Sequence, residues 1–368
     1  MNSRCGGKRA AQAVTLRQVA AAAGVSPSTA SSILNEAPCA QAYAEATRTR
    51  VRKAAAKLGY TPNLLARTLK RQESGLLGVV TSGQDLMYHG RFLLGAEEAA
   101  RSAGYDLMAT SMGYSLKHFD KCLQTLAAWR VEGVMILIGG HVLDADMLAR
   151  LKSLNVPFVS CASRQGDTPC AGIHINEELG RVAARWLLQH GHSRIAVLGA
   201  SDTNLNAVER VRGVKMALGE HDLSLEPHRV VSAVSSMVGV SAGYAYADTL
   251  LKNAPDTTAV IAINDVIAIG AMRRLTESGL AIPGDVSLIG IDDICLDTTE
   301  DESNRLGLYL TPALTTVRVP LREMGAGTAR FLVDIIEGRW NPAAPQAVEF
   351  APRLIVRDSA GTASAHGR

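Results

Sequence analysis

Apolar positions in the first sixty residues fall at helical spacing. Leu16, Val19, Ala20 and Ala23 form one stripe, and Val25, Ala30, Ile33 and Leu34 form a second. Residues three and four apart share a helix face, so each stripe predicts a helix with one buried side. Thr15 predicts an N-cap, and Gln18 three residues on completes a capping-box pattern. Gly24 predicts the end of the first helix, because a left-handed residue costs glycine least. Ser26 predicts the next cap, with Pro27 at the first helical position, where no amide hydrogen is missed. Two short helices joined by a tight glycine turn predict a helix-turn-helix. A third helix is expected over about 45–58, ending at Gly59. After a turn at Pro62 and a cap at Asn63, "LLARTLKRQ" predicts one more short amphipathic helix, with Leu65 and Leu69 on a face. So short a helix is marginal alone and is expected to form on binding.

From Gly75 the pattern changes. Continuous apolar runs appear: "LLGVVTS", "YDLMATS", "GVMILI", "PFVSCA", "RIAVLGA", "AVIAIN" and "VSLIGID". Amphipathic stretches such as "RFLLGAEEAARSAG" and "EELGRVAARWLLQHG" separate them. Strands apolar on both faces, alternating with helices, predict parallel sheets built from βαβ units. The body is too long for one such sheet, so two α/β lobes are expected. Ligands of open α/β sheets sit beyond the carboxyl ends of strands, where Ser82, Asn264, Asp265, Asp292 and Asp293 fall. "TTEDESNRLG" breaks the pattern and reads as an inserted, charged surface loop.

Charge divides the chain in the same place. The whole carries a formal +3, but residues 1–72 hold twelve Lys and Arg against two acids, Glu36 and Glu45. The head therefore has a surplus of ten positive charges, and the remainder is acidic. A basic head on an acidic body points to a polyanion at one end only. Composition is that of a globular protein, 47% hydrophobic and 20% charged. No apolar run approaches a bilayer span, and the basic N-terminus lacks the apolar stretch of a secretory signal. The six cysteines form no CxxC pair and are expected as reduced thiols of a cytoplasmic protein.

The motifs "TLRQVAAAAGVSPSTASSILN", "LGYTPNLLARTLK", "GHSRIAVLGA", "INDVIAIGAMRRLTESGLAIPGDVSLIGIDDI" and "LTTVRVPLREMG" resemble, in this order, the lactose/galactose repressor family of bacterial transcription regulators. The likeness runs from about Thr15 to Arg357. It implies a small all-α helix-turn-helix headpiece followed by a two-lobed, periplasmic-binding-protein-like α/β domain with parallel sheets. The expected division is a basic arm over 1–14, the DNA-binding domain over 15–62, a hinge helix and linker over 63–74, the effector-binding and dimerisation domain over 75–358, and a flexible tail over 359–368. The implied partners are double-stranded operator DNA, a small-molecule effector such as a sugar or sugar acid, and a second copy of the chain. The closing segment lacks leucine heptads, so a homodimer is expected rather than a tetramer. No cofactor, metal or membrane partner is expected.

The resemblance also assigns residues. Pro27, Ser28 and Ser32 occupy reading positions of the second helix. All are short, and Ser32 stands where the family often has arginine. No bidentate base contact is available to them. Grip is therefore expected from phosphate bonds by Ser26, Thr29, Ser31, Asn35, Thr47 and Tyr60, with Leu16, Arg17 and Asn63 completing the DNA-contacting set. Leu69 matches a leucine that wedges into the minor groove, with Lys70 beside it, so deformability of the central base step would contribute to specificity. In the effector domain Arg210 matches an arginine that grips ligand oxygens. Asp292 matches a carboxylate that accepts hydroxyl hydrogens, and Asn264 an amide that does both. Ser82, Leu86, Tyr88, His89 and Phe92 match the lining of the first lobe. For Asn264, Asp265 and Asp292 helix or loop capping is the competing role, and it fits Asp265 better than ligand contact. Usual polar partners are missing at Ala162 and Val319, an aromatic that often stacks on the sugar is missing near Val234, and Asn176-Glu177 replaces an expected Asp-Asn. The ligand is then either less hydroxylated or negatively charged and dependent on Arg210.

Two other functions are weaker fits. "GVSAG", residues 239–243, has the form of a nucleophile elbow, but the residues before it make a poor strand, and Ser241 reads better as a helix cap. His190 and His192 flank Gly191 at a helix end, where structural roles suffice. A sugar-binding or transport protein without DNA-regulatory role is the alternative, against which the basic head argues.

Overall fold

The computed structural model describes residues 14–35, 38–60, 73–82, 86–113, 116–141, 143–161, 168–172, 174–232, 239–297, 301–340 and 347–364. The chain divides into two compact units, Met1–Ser74 and Gly75–Arg368.

The first unit contains α1 (Leu16–Ala23), α2 (Pro27–Leu34) and α3 (Glu45–Leu58). The reciprocal capping box forms: the Gln18 amide donates to Thr15 Oγ1 at 3.4 Å, and the Thr15 amide donates to Gln18 Oε1 at 2.8 Å. Gly24 closes α1 at φ 62° and Gly59 closes α3 at φ 66°, both left-handed. Ser26 caps α2 by accepting the Thr29 amide at 3.1 Å. Each such cap is worth about 1 kcal/mol, which matters because the core beneath is slight. It consists of Ala20, Ala23, Ala30, Ile33 and Val51, edged by Leu16, Val25, Leu34 and Tyr43. Arg50 ties α3 to the end of α1 by donating to the Ala23 carbonyl at 2.7 Å.

The second unit holds two six-stranded sheets. Its strands are β1 (Leu76–Thr81), β2 (Asp106–Ser111), β3 (Gly133–Leu137), β4 (Phe158–Cys161), β5 (Cys170–Ala171), β6 (Ile195–Ala200), β7 (Val230–Ser232), β8 (Ala259–Ala262), β9 (Ser287–Asp292), β10 (Thr315–Arg318), β11 (Ala347–Val348) and β12 (Arg353–Ile355). Its helices are α4 (Leu86–Ser102), α5 (Phe119–Ala128), α6 (Ala145–Ser153), α7 (Ile175–Gln189), α8 (Leu205–Gly219), α9 (Val240–Asn253), α10 (Asp265–Glu277) and α11 (Leu321–Ile336). The first sheet runs β11-β5-β4-β3-β1-β2 and the second β12-β10-β9-β8-β6-β7. Every pairing is parallel except β10 with β12. The continuous apolar runs are explained by burial of both faces. In β6, Ile195 and Val197 enter one core while Ala196 and Leu198 enter another. In β1, Leu77 and Val79 point opposite to Val80.

The chain passes between the sheets three times. After β5 it enters α7, which packs on the second sheet; after β10 it enters α11, which packs on the first; and β11 and β12 belong to different sheets. The lobes also touch directly, the Leu205 amide donating to the Gly140 carbonyl at 2.8 Å.

Three regions depart from the sequence reading. The segment read as a flexible tail is tied down as far as 363. The Ser359 hydroxyl donates to the Leu288 carbonyl at 2.6 Å and accepts the Thr315 amide at 2.8 Å. His192 meets the Gly361 carbonyl at 3.0 Å, and the Ala363 amide donates to His190. Short polar residues there complete the backbone bonds of a sheet edge, which hydropathy does not reveal. Ser241 is not a cap: α9 starts at Val240, with Gly239 at the cap position and no side-chain bond there. The supposed surface loop is only partly on the surface. Glu302 is exposed, but Arg305 is 3% exposed and bridges to Cys295.

Candidate functional site

In the headpiece, Pro27 and Ser28 are exposed on the first turn of α2, and Ser31, Ser32 and Asn35 are half-buried. Two pairs of these polar groups bond one another. The Ser26 and Thr29 hydroxyls lie 2.9 Å apart. Asn35 Nδ2 donates to the Ser31 carbonyl at 2.9 Å and to Ser31 Oγ at 3.2 Å, closing the end of α2. The helix thus holds its own side chains in place, and Ser28 and Ser32 make no hydrogen bond among the described residues. Arg17 is exposed, Leu16 packs at the edge of the core, and Thr47 and Tyr60 are half-buried on and after α3. Asn63, Leu69 and Lys70 lie outside the described residues.

In the two-lobed unit a cavity of ≈ 60 Å³ opens at the carboxyl ends of β8 and β9. Arg91 of α4 contributes from the first lobe. Asn264, Asp292, Asp293 and Arg305 contribute from the second, with Val319 and Leu321 at the crossing into α11. Arg210 is buried beside it. Its Nε donates to Asn176 Oδ1 at 3.1 Å, one terminal nitrogen donates to the Ile263 carbonyl, and the other meets Asp292 Oδ1 at 3.4 Å. So two of the three ligand-contact candidates of the second lobe, Arg210 and Asp292, come together, and Asn176 is a partner that sequence reading placed only as a departure. Asn264 takes the competing role: it is the N-cap of α10, its Oδ1 accepting the Ile267 amide at 2.8 Å. Asp265 does not cap, contrary to expectation. It lies within the first turn, fully buried, accepting the Thr316 hydroxyl at 2.5 Å and the Ile294 amide at 3.0 Å. Burial, then the nearby Asp292, push its carboxyl up to about 8.

Behind the cavity Asp293 is wholly buried. Arg318 and Arg357 hold it, each at 2.7 Å, and Arg305 stands at 3.6 Å. Asp292 and Asp293 both have positive φ, 125° and 52°, conformations that cost a non-glycine residue energy and that cluster at ligand sites. Of the first-lobe candidates, His89 is buried, and Ser82 is half-buried after β1 with its amide bonded to Leu137. Phe92 packs wholly within the core and does not line the cavity among the described residues. Leu86 and Tyr88 belong to α4, but their side chains lie outside the described residues, as do Ala162 and Val234. Sequence reading missed Arg91, whose helix it assigned to the lining, and Arg305, whose segment it assigned to the surface.

A basic, capped helix-turn-helix followed by a two-lobed α/β unit with a polar cleft defines a ligand-binding DNA-binding protein. Residues 15–63 match the model of the bacterial regulatory proteins of the lacI family, and residues 184–360 match a periplasmic binding protein-like domain. The chain is 28% identical to the HTH-type transcriptional repressor PurR of Vibrio atlanticus (strain LGP32), over 95% of this chain and 99% of that one. It is also 28% identical to the ribose operon repressor of Haemophilus influenzae, over 94% and 98%. Among solved structures, the Lac repressor dimer bound to operator and an anti-inducer matches with a TM-score of 0.78 at 28% identity, covering 95% and 99% of the two chains. The chain carries a lacI-family helix-turn-helix domain and a periplasmic binding protein-like domain and is a DNA-binding transcriptional regulator. Among the described residues no helix is long and apolar enough to cross a membrane.

Proposed function

We propose that this regulator is a cytoplasmic repressor that binds a pseudo-palindromic operator as a homodimer, its affinity set by a small sugar or sugar-acid-like effector in the cleft. The observation that carries the reading is the Arg210–Asp292 pair beside a cavity walled by both lobes, in a chain whose other unit is a helix-turn-helix. Arg210 supplies donors and Asp292 acceptors, the mixture that a hydroxylated ligand requires. Ligand bound across two lobes favours one arrangement of them and so biases whatever the dimer does with its DNA-binding units.

On DNA, α2 offers hydroxyls rather than forked donors. The hydroxyls of Ser26 and Thr29 and the Ser28 amide suit phosphate oxygens, and Pro27 and Ser28 are exposed, with Ser32 half-buried one turn on. The related Lac repressor has been crystallised as a dimer on operator, which supports the same assembly here. The test is selection of bound duplexes from a random pool by the full-length protein, repeated at two salt concentrations. The expected outcome is a two-fold-related motif with a deformable central step. Recovery of no motif at either salt concentration would overturn sequence-specific binding. Ser32→Ala should weaken binding by about 1 kcal/mol, roughly fivefold; abolition would show that this serine reads a base after all.

A further inference from the structure

Two arginines line the cavity, Arg91 from one lobe and Arg305 from the other, and Arg305 is buried with a donor unspent among the described residues. Asp293 is already closed by Arg318 and Arg357 at 2.7 Å each. Glu302 is held by Arg318 at 2.6 Å. Arg305 donates to the Asp293 backbone carbonyl at 3.1 Å and stands 3.6 Å from the Asp293 carboxylate and 3.5 Å from that of Glu302. It is nevertheless only 3% exposed, and its Nε–H, closed off from solvent, has no acceptor among the described residues. Burying a guanidinium with a donor unspent is costly unless something else accepts the bond. Arg305 lines the cavity, and Arg91 lines it from the facing lobe. Asp292 already faces Arg210 at 3.4 Å. Asp265, whose carboxyl burial raises, does not line the cavity among the described residues.

We propose that the ligand of this cleft is a small anion, a sugar acid or phosphorylated metabolite, whose carboxylate or phosphate oxygens bond Arg305 while Arg91 closes on them from the other lobe. The proposal rests on the reading of this cleft as the effector site and narrows its ligand class. Guanidinium meets carboxylate and phosphate in charge-assisted, often bidentate pairs. A neutral polyol could accept one bond from Arg305 but would give neither guanidinium a charge-assisted pair. The residue that makes the difference comes from the acidic segment 301–310, so this specificity is a property of that segment rather than of the cleft's remaining polar groups.

The experiment is calorimetric titration of the full-length protein at constant ionic strength with glucose, gluconate, glucuronate, glucose 6-phosphate and inorganic phosphate, alongside melting curves. The expected result is that a carboxylate or phosphate member binds at least tenfold tighter than glucose. Arg305→Gln and Arg91→Gln should each bring that ratio towards one, while Arg305→Lys retains part of it. The carboxylate and phosphate arms tell the two anion classes apart. Three results would each overturn the proposal: glucose binding as tightly as the anions, no anion shifting the melting curve, or both Gln variants leaving the ratio unchanged. Should Arg305→Gln fail to fold, Arg91→Gln decides, because it leaves the cluster around Asp293 intact. Duplex affinity measured in the same samples separates the two readings. An anion that binds without changing duplex affinity sinks the effector role and leaves the anion site. A neutral sugar that changes duplex affinity while no anion binds does the reverse.

Discussion

At the scale of single residues, Asp265 makes the sharpest prediction. Its ordinary carboxyl value is 3.8, and burial raises it to about 8. Between those values the folded protein keeps a proton that the unfolded chain releases. Stability contributed by this group is therefore greatest below its ordinary value and declines as pH rises through about 8. Asparagine is the uncharged isostere: its oxygen can accept the Ile294 amide as Asp265 does, and its nitrogen can meet Thr316 Oγ1 once that hydroxyl, which now donates to Asp265, turns to accept. Asp265→Asn should flatten the stability profile from about pH 5 to about pH 8, and should match or exceed the parent at the upper end. Denaturant unfolding at three pH values measures this. A variant that loses more stability at high pH than at low would show that the carboxylate is ionised. The roles of Asp265 and Asn264 were not separable from sequence. Both sit where a strand meets a helix, and only the backbone trace decides which caps. Arg210 and Asp292 stood out because each matches a family position within a short motif. Arg305 did not, because its burial depends on Asp293, twelve positions back in sequence and opposite in charge.

At the scale of elements, three helix pairs cross on glycine. A Cβ at Gly180 would lie 1.9 Å from the Arg210 carbonyl oxygen, and one at Gly213 would lie 1.8 Å from that of Glu177, where α7 meets α8. Cβ atoms at Gly243 and Gly270 would lie 2.0 Å and 1.9 Å from the Ile267 and Val240 carbonyl oxygens, where α9 meets α10. Cβ atoms at Gly95 and Gly325 would lie 2.0 Å from the Arg322 and Phe92 carbonyl oxygens, where α4 meets α11. Each pair brings two backbones together with no side chain between them, and the repeated approach suits Cα–H···O contact. The first crossing bears on the cleft, since it sets the Arg210 backbone against α7, the helix that carries Asn176. Gly180→Ala should cost about 1–3 kcal/mol by overpacking and should weaken ligand binding beyond the loss in melting temperature, as Arg210 moves from Asn176 and Asp292. Gly270→Ala, at a crossing away from Arg210, should show a similar stability loss with ligand affinity kept. Equal loss of affinity in both would detach the crossing from the site. None of this was legible in sequence, where glycine inside a helix reads as a defect of about 1 kcal/mol. The strands and caps were legible for the opposite reason. Their signals, an apolar run or a serine before a proline, are local and act the same way in any fold.

For the whole molecule, the charge split and the two units make a prediction about linkage. If ligand in the cleft changes duplex affinity by some factor, duplex must change ligand affinity by the same factor. Couplings of this kind are typically about 1–3 kcal/mol, roughly fivefold to 150-fold. Salt should act on one side of this cycle. A headpiece with ten surplus positive charges releases counterions on binding, so duplex affinity should fall steeply and linearly in log–log form as salt rises, each phosphate neutralised adding about 0.9 to the slope. The coupling factor compares two states of the same protein on the same duplex and should stay nearly constant if ligand alters how well the head is presented. Should ligand instead change the number of phosphates contacted, the slope itself will differ with and without ligand, and the factor will drift with salt. Titrating duplex with and without saturating ligand at three salt concentrations, then ligand with and without duplex, closes the cycle. On the proposed reading, in which α2 offers hydroxyls where base-reading arginines would stand, phosphate contacts would make up most of the grip, and the drifting case is the expected one. A factor that failed to agree in the two directions at a single salt concentration would mean that the ligand titrated is binding somewhere other than in the protein–duplex cycle.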